Sequence, residues 1–242
     1  RPVAMTYLQF HLVFIAPPLV ALALAQPRGM GRWWPVPAMC ITAFVWTTPW
    51  DNYLVANEIW TYPPGRVLAT IGYVPVEEYA FFLLQPILTG LWYRIVRARR
   101  ALGPGTPSRT PHVVGAAVFG ALTLLGAVLW ARGGHGLYLG LIVAWACPIL
   151  AGMWWLDGAR LAARWRLLAV AGVPPTLYLW AADWYAITQA GIWHITDATR
   201  TGWELAGLPM EEALFFAVTN LLVVQGLTML EPDDVPVYIR RD

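Results

Sequence analysis

The sequence predicts an all-α integral membrane protein of seven transmembrane helices, built as two parallel three-helix repeats joined by a linker helix. Three observations predict it. Of the 242 residues, 58% are hydrophobic and 12% are charged, against about 25% charged in a soluble domain, and the mean hydropathy is +0.53. Seven windows of about 20 mostly apolar residues follow one another, each long enough to cross a hydrocarbon core. Short motifs in the first half recur, in the same order, in the second.

The first window, 6–25, ends in Ala21-Leu22-Ala23-Leu24-Ala25-Gln26, which resembles a signal-peptide cleavage site. Its Tyr7-Leu8 and Pro17 recur at an offset of 131 as Tyr138-Leu139 and Pro148 in the fifth window, 137–156. A segment that is half of a repeat is expected to belong to the body of the protein. The second window, 35–55, carries Asp51 and Tyr53 late in the span; the sixth, 167–187, carries Asp183 and Tyr185 at an offset of 132. Ile59-Trp60 and Ile192-Trp193 follow them at an offset of 133. The third and seventh windows, 76–95 and 210–229, open on Pro75-Val76-Glu77-Glu78-Tyr79-Ala80-Phe81-Phe82 and Pro209-Met210-Glu211-Glu212-Ala213-Leu214-Phe215-Phe216, at an offset of 134. The fourth window, 113–130, has no counterpart and is the linker. Three spans plus one extra span force both repeats into the same orientation. The expected organisation is a first repeat over 1–96, a linker and fourth span over 97–132, a second repeat over 133–230, and a tail over 231–242.

All sixteen basic residues are arginines. Twelve fall in the loops after spans one, three and five and in the tail; four (Arg1, Arg66, Arg132 and Arg200) fall on the other side. The positive-inside rule then puts the protein in the cell membrane with its N-terminus outside and its C-terminus in the cytoplasm.

Each motif places two adjacent carboxylates where a span begins. One acid per helix is explained by capping, because a carboxylate in the first turn complements the helix dipole and Pro is pre-organised to start a helix. Capping does not explain Glu-Glu twice with Phe-Phe at the same offset. Asp51 lies about 24 Å into its span at 1.5 Å per residue, so it should reach the depth of Glu77 and Glu78. Asp183 should likewise reach Glu211 and Glu212. Ionisable residues inside spans are functional candidates by default. Neighbouring helical residues point about 100° apart, so the two glutamates of a pair cannot face one cavity equally. Glu78 and Glu212 lie one residue deeper and rank above Glu77 and Glu211 as the catalytic acid and base.

The acids sit among aromatics, including Trp60, Phe81 and Phe82 in one half and Trp193, Phe215 and Phe216 in the other. Aromatic faces attract cations without being nucleophiles. A dry, aromatic, acid-bearing cavity open to lipid suits a carbocation reaction on a hydrophobic polyene. Asn52, Asn57 and Asn220 are candidates for orienting the acids. Cys40, Cys147 and the four histidines show no ligand spacing, so no metal is expected, and His194 alone stays on watch. No Gly-rich dinucleotide fingerprint is present, and nothing points to a flavin, a nucleotide or a nucleic acid.

Asp51-Asn52-Tyr53, Ile59-Trp60, the two Pro-x-Glu-Glu-x-x-Phe-Phe motifs and the stretch from Thr219-Asn220 to Gln225-Gly226 together resemble the membrane-embedded, non-flavin lycopene cyclases. These occur as two small subunits, as one fused chain, and as the cyclase part of fungal cyclase–phytoene synthase fusions. The resemblance covers essentially the whole chain as two tandem cyclase repeats. It implies cyclisation of lycopene to β-carotene without net redox change and without a cofactor. It also implies lycopene and membrane lipid as partners, other carotenoid-pathway enzymes as neighbours, and essential acids among Glu77, Glu78, Glu211 and Glu212. The repeats differ where Gln85-Pro86 in the first becomes Thr219-Asn220 in the second, which leaves open which half supplies the acid.

Two other readings compete. One is a different carotenoid end-group enzyme, making another ring type or hydrating the same cation. The other is a seven-span sugar transporter, whose parallel three-plus-one-plus-three arrangement is the same. A retinal protein would need a Schiff-base lysine, and the chain has none. A prenyltransferase would need Asp-rich diphosphate motifs in or beside a span, and none occurs there.

Overall fold

The computed structural model describes residues 5–28, 32–99 and 108–231. Most of them are helical. The long helices are α1 (Tyr7–Leu24), α2 (Pro35–Ala56), α3 (Val76–Ala98), α4 (Thr110–Arg132), α5 (Leu137–Ala163), α6 (Trp165–Tyr185) and α7 (Met210–Leu230). Five of them, α1, α3, α4, α5 and α7, are long and apolar enough to cross a membrane. α2 and α6 have similar lengths but are less apolar, because they carry Asp51, Asn52 and Asp183 together with Pro49, Pro174 and Pro175. Most of the expected tail, and the linker's start at 100–107, lie outside the described residues.

Prolines stand inside these helices without ending them. In α1 a π turn, His11–Ile15, precedes Pro17 and Pro18, which have no N–H to continue the regular ladder. Pro86 and Pro148 sit inside α3 and α5. α4 comes very close to α5. A Cβ on Gly126 would lie 2.6 Å from the Ala144 nitrogen, and one on Gly140 2.7 Å from that of Trp130. Glycine lets the two backbones touch, as small residues do between membrane helices.

Three short antiparallel pairs cap one end. β2 (Thr70–Ile71) and β3 (Val74–Pro75) form a hairpin that runs straight into α3; β5 (Glu204–Leu205) and β6 (Leu208–Pro209) form one that runs into α7. The second turn holds Ala206 and Gly207 at φ +53° and +94°, the left-handed pair that matches the twist of a two-residue hairpin. Pro75 and Pro209 then stand at the helix caps with φ near −57° and −55°. This is why each motif begins with Pro: its fixed φ serves both the end of a strand and the entry to a helix. The third pair crosses the molecule. β1 (Trp60–Thr61) lies against β4 (His194–Ile195), with Trp60 opposite Ile195 and Thr61 opposite His194.

α3 and α7 are central. α3 packs on α1, α2, α6 and α7, and α7 packs on α2, α3, α5 and α6. One hydrophobic cluster surrounds their N-terminal ends, with Tyr7, Trp60, Phe81, Tyr138, Trp193 and Phe215 in it. A second surrounds their C-terminal ends, with Tyr93, Leu161, Val224 and Leu227. At that far end Arg97 pairs with Glu231 at 3.4 Å, and Arg94 lies 3.8 Å over the Trp33 ring.

Candidate active site

The four motif glutamates are between 1% and 4% exposed. Surface capping does not bury a carboxylate this deeply, so each needs an account of its partners. The helix spacing separates each pair. Glu78 and Glu212, from the starts of α3 and α7, line a single cavity with Tyr7, Phe10, Trp60, Tyr62, Phe81, Leu179, Asp183, Trp193, Phe215 and Phe216. Glu77 and Glu211 do not line it. Glu77 Oε1 accepts the Leu68 N–H at 2.8 Å, and Glu211 Oε1 accepts the N–H and hydroxyl of Thr201 at 2.6 and 2.7 Å. Expected as catalytic candidates, these two turn toward the connecting loops, because a residue 100° round the helix from a cavity wall faces away from it.

The two cavity carboxylates have unequal partners. Glu78 Oε2 accepts hydrogen bonds from Tyr7 Oη at 2.6 Å and Tyr62 Oη at 3.1 Å. Glu212 Oε1 accepts one from Tyr138 Oη at 2.6 Å. Burial and the Glu78 charge hold the Tyr62 hydroxyl well above the ordinary tyrosine value, so it remains a donor. These tyrosines are not among the sequence candidates. Tyr7 and Tyr138 carry a signal, recurring at an offset of 131. Tyr62 carries none, since the matching position, at an offset of 133, is Ile195.

The two aspartates differ as well. Asp183 lines the cavity, and its Oδ1 accepts the Trp193 indole N–H at 3.1 Å. Asp51 is fully buried within electrostatic reach of Glu78 and Glu212, and among the described residues neither of its oxygens has a hydrogen-bond partner. The N–H of Trp60, the counterpart of Trp193, lies near Glu212 and Tyr138 but outside hydrogen-bond geometry with either. Both tryptophans cross over. Trp193 packs on Tyr7 at 4.9 Å, and Trp60 packs on Tyr138 at 5.9 Å.

The asparagines do not orient the acids. Asn52 donates to Tyr79 Oη at 2.9 Å and accepts the Tyr73 N–H at 3.1 Å, clamping the first hairpin. Trp184, its counterpart at an offset of 132, does the same for the second hairpin by donating to the Ala206 carbonyl at 2.9 Å. Asn57 bonds the Tyr53 carbonyl at the end of α2. Asn220 lies deeper, bonded to Gln85 at 2.7 Å, Thr89 at 2.5 Å and Thr176 at 3.0 Å. It ties α7 to α3 and α6. A short polar side chain bonds the groups within about 3 Å of it, and for these asparagines those are a hairpin, a helix end and the Gln85, Thr89 and Thr176 side chains. His194 is exposed in β4. Cys40 and Cys147 are buried and free.

Beside the acid cavity lies an apolar cleft of about 690 Å³, its open mouth included, lined by Met39, Ala43 and Trp46 of α2, Trp145, Ile149 and Met153 of α5, and Phe82, Gln85, Thr219 and Leu222 of the central pair. A concave, mostly apolar surface with a few polar groups is the usual form of a small-molecule site. Phe81 and Phe215 line both spaces. The cleft and the acid cavity therefore meet at these two rings. Phe82 lines only the cleft, whereas Phe81, Phe215, Phe216, Trp60 and Trp193 surround the acids. Such an arrangement can deliver a proton to an apolar chain, shelter a cation against ring faces, and take a proton back.

Known proteins share this chain's pattern. The lycopene cyclase family model matches residues 4–96 and 135–230. The chain is 40% identical over 234 residues to the lycopene beta-cyclase of Halobacterium salinarum, covering 93% of this chain and 95% of that one. It is 37% identical over 231 residues to the bifunctional lycopene cyclase/phytoene synthase of Gibberella fujikuroi, covering 91% of this chain and 39% of the fungal one. A bifunctional lycopene cyclase/phytoene synthase of Sporisorium reilianum is 37% identical over 239 residues, with 92% and 34% covered. No solved structure matches. With both motif-bearing halves matched and near-complete coverage of a curated relative, the chain belongs to the lycopene cyclase family.

Proposed function

We propose that the chain is a membrane-embedded lycopene β-cyclase that closes the linear ends of lycopene by acid-initiated carbocation chemistry. The observation that carries this is the single aromatic cavity holding Glu78 and Glu212 beside an apolar cleft, with Phe81 and Phe215 in the walls of both. A carboxylic acid protonates the terminal carbon–carbon double bond. A tertiary cation forms, the next double bond attacks it, and a six-membered ring closes. A carboxylate then removes a proton, and loss from the ring carbon that joined the new bond gives the β ring. No electrons are exchanged, so the reaction is an isomerisation.

The unequal donors suggest the roles. A carboxylate that accepts two hydroxyl hydrogen bonds is satisfied in its charged form, so Glu78 starts as the base. Glu212, with one donor, starts as the acid. Asp183 and Trp193 orient the second site.

The same reading takes all of α1–α7 as spans, residues 1–96 and 133–230 as parallel cyclase repeats, residues 97–132 as linker and fourth span, and residues 231–242 as a cytoplasmic tail. The arginine distribution supports an outer N-terminus. The surroundings would be membrane lipid and other carotenoid-pathway enzymes. Expression in a lycopene-accumulating host tests the activity: β-carotene should appear, and unchanged lycopene in cells holding folded protein would refute it. For topology, His135→Cys should be labelled from the outer side and Gly105→Cys from the cytoplasm; reversed labelling would refute it.

A further inference from the structure

The first glutamate of each motif is buried and faces away from the chemistry, and its partners show what it holds. Leu68 and Thr201 lie in the two loops that precede the hairpins, at the end of the molecule where α3 and α7 begin. These loops form a roof. Tyr62, Trp60 and Trp193 belong to it and reach down to line the acid cavity. The two sides are joined through β1 and β4 and through the Thr196 N–H on the Ile59 carbonyl at 3.0 Å. Arg66 binds the roof to the start of α1, with its guanidinium on the Met5 carbonyl at 3.0 Å and its own carbonyl accepting the Tyr7 N–H at 2.8 Å. Each half therefore has one carboxylate in the cavity and one fastening the loop above it.

We infer that Glu77 and Glu211 are latches that keep the roof closed against water during the cation's lifetime, and so decide that the cation closes a ring instead of becoming an alcohol. This rests on the cyclase reading above. Water that reached the first cation would add at the tertiary carbon. A carbon–oxygen bond would form, one water proton would pass to a cavity carboxylate, and the product would be lycopene plus one water, an acyclic tertiary alcohol. Dry closure of a site prevents this kind of diversion. Losing the roof's hydrogen bond to this acceptor is enough to weaken the closed roof by about tenfold.

Pigments from membranes of a lycopene-producing host grown with ¹⁸O-labelled water test this. Glu77→Ala and Glu211→Ala should raise the ratio of ¹⁸O-bearing alcohol to ring product by about tenfold or more. Glu77→Gln and Glu211→Gln, whose amide oxygen can still accept the roof N–H, should hold that ratio near wild type. Thr201→Val removes the hydroxyl bond to Glu211, and with it the long Trp203 N–H bond to that hydroxyl at 3.4 Å, but keeps the backbone N–H on Glu211; it should give a smaller rise, which keeps the test open if an alanine variant does not fold. The inference is overturned if the Gln variants lose turnover as fully as Glu78→Gln does, because the first glutamates would then be part of the acid–base chemistry. It is also overturned if folded Ala and Thr201→Val variants keep the wild-type product ratio. A wild-type protein that forms no ring would instead overturn the cyclase reading itself.

Discussion

The two ends of the cavity began from the same motif and are not alike. Around Glu78 there are two tyrosine hydroxyls and an aspartate, Asp51, that has no hydrogen-bond partner among the described residues. Around Glu212 there is one tyrosine, and the nearby aspartate is bonded to Trp193. The difference comes from a few positions: Tyr62 stands where the second half has Ile195, and the Trp60 indole N–H makes no hydrogen bond among the described residues where Trp193 makes one. A matched pair of carboxylates has no preferred direction for a proton. An unmatched pair does, since one carboxyl must start protonated and the other ionised for ring closure to occur without net proton change.

The largest expected effect tests whether the two ends have separate roles. Glu78→Gln and Glu212→Gln should each lower turnover by about 10²–10⁴-fold in folded protein. Their residual products should differ. Without the acid, lycopene stays intact and takes up no deuterium from D₂O. Without the base, some substrate is still protonated and emerges as diverted, deuterated products. Identical residual products would erase the distinction between the two ends.

Next come the tyrosines. Tyr138→Phe removes the one hydroxyl bond that Glu212 accepts, whereas Tyr7→Phe or Tyr62→Phe leaves Glu78 with one of two. A hydrogen bond to a charged group is worth about 1.5–3 kcal/mol, so Tyr138→Phe should lower the steady-state rate by about ten- to a hundredfold. Each single change on the Glu78 side should cost less, and the double change should cost about as much. Equal effects of Tyr62→Phe and Tyr138→Phe would show the extra donor to be idle.

A smaller effect is expected where the halves meet away from the acids. Gln85 and Asn220, unequal positions in the two motifs, are bonded to each other at 2.7 Å. Asn220→Leu should lower stability by about 1–2 kcal/mol, the scale of polar contacts between membrane helices, with rate per folded molecule nearly unchanged. Loss of activity without loss of stability would move Asn220 into the chemistry. The smallest effects belong to the hairpin clamps. Asn52→Ala and Trp184→Phe each remove a bond to a hairpin backbone, about 0.5–1.5 kcal/mol of stability. Thermal unfolding in detergent should show similar losses for both.

Much of this was legible because it is periodic or local. Apolar runs mark helices, Pro-x-Glu-Glu marks the starts of two of them, and equal offsets bring Asp51, Asp183 and the two glutamate pairs to one end. Helical geometry also requires the glutamates of a pair to part. What the sequence left open has one cause: it depends on residues far apart in the chain. That Glu78 and Glu212, ranked first by depth, meet in one cavity follows from α3 lying against α7. Tyr62 reaches Glu78, and Trp60 and Trp193 each pack on the other half's tyrosine, because β1 pairs with β4 from the opposite half of the chain, Trp60 opposite Ile195 and Thr61 opposite His194. The asparagines looked like acid partners because amides suit carboxylates, but a hydrogen bond goes to the group within about 3 Å, and for Asn52 that group is a hairpin. The sequence alone determined the membrane class, the helix starts and the acids; the tertiary structure decided their partners, because side chains on one helix cannot fix what the neighbouring helices and loops will present to them.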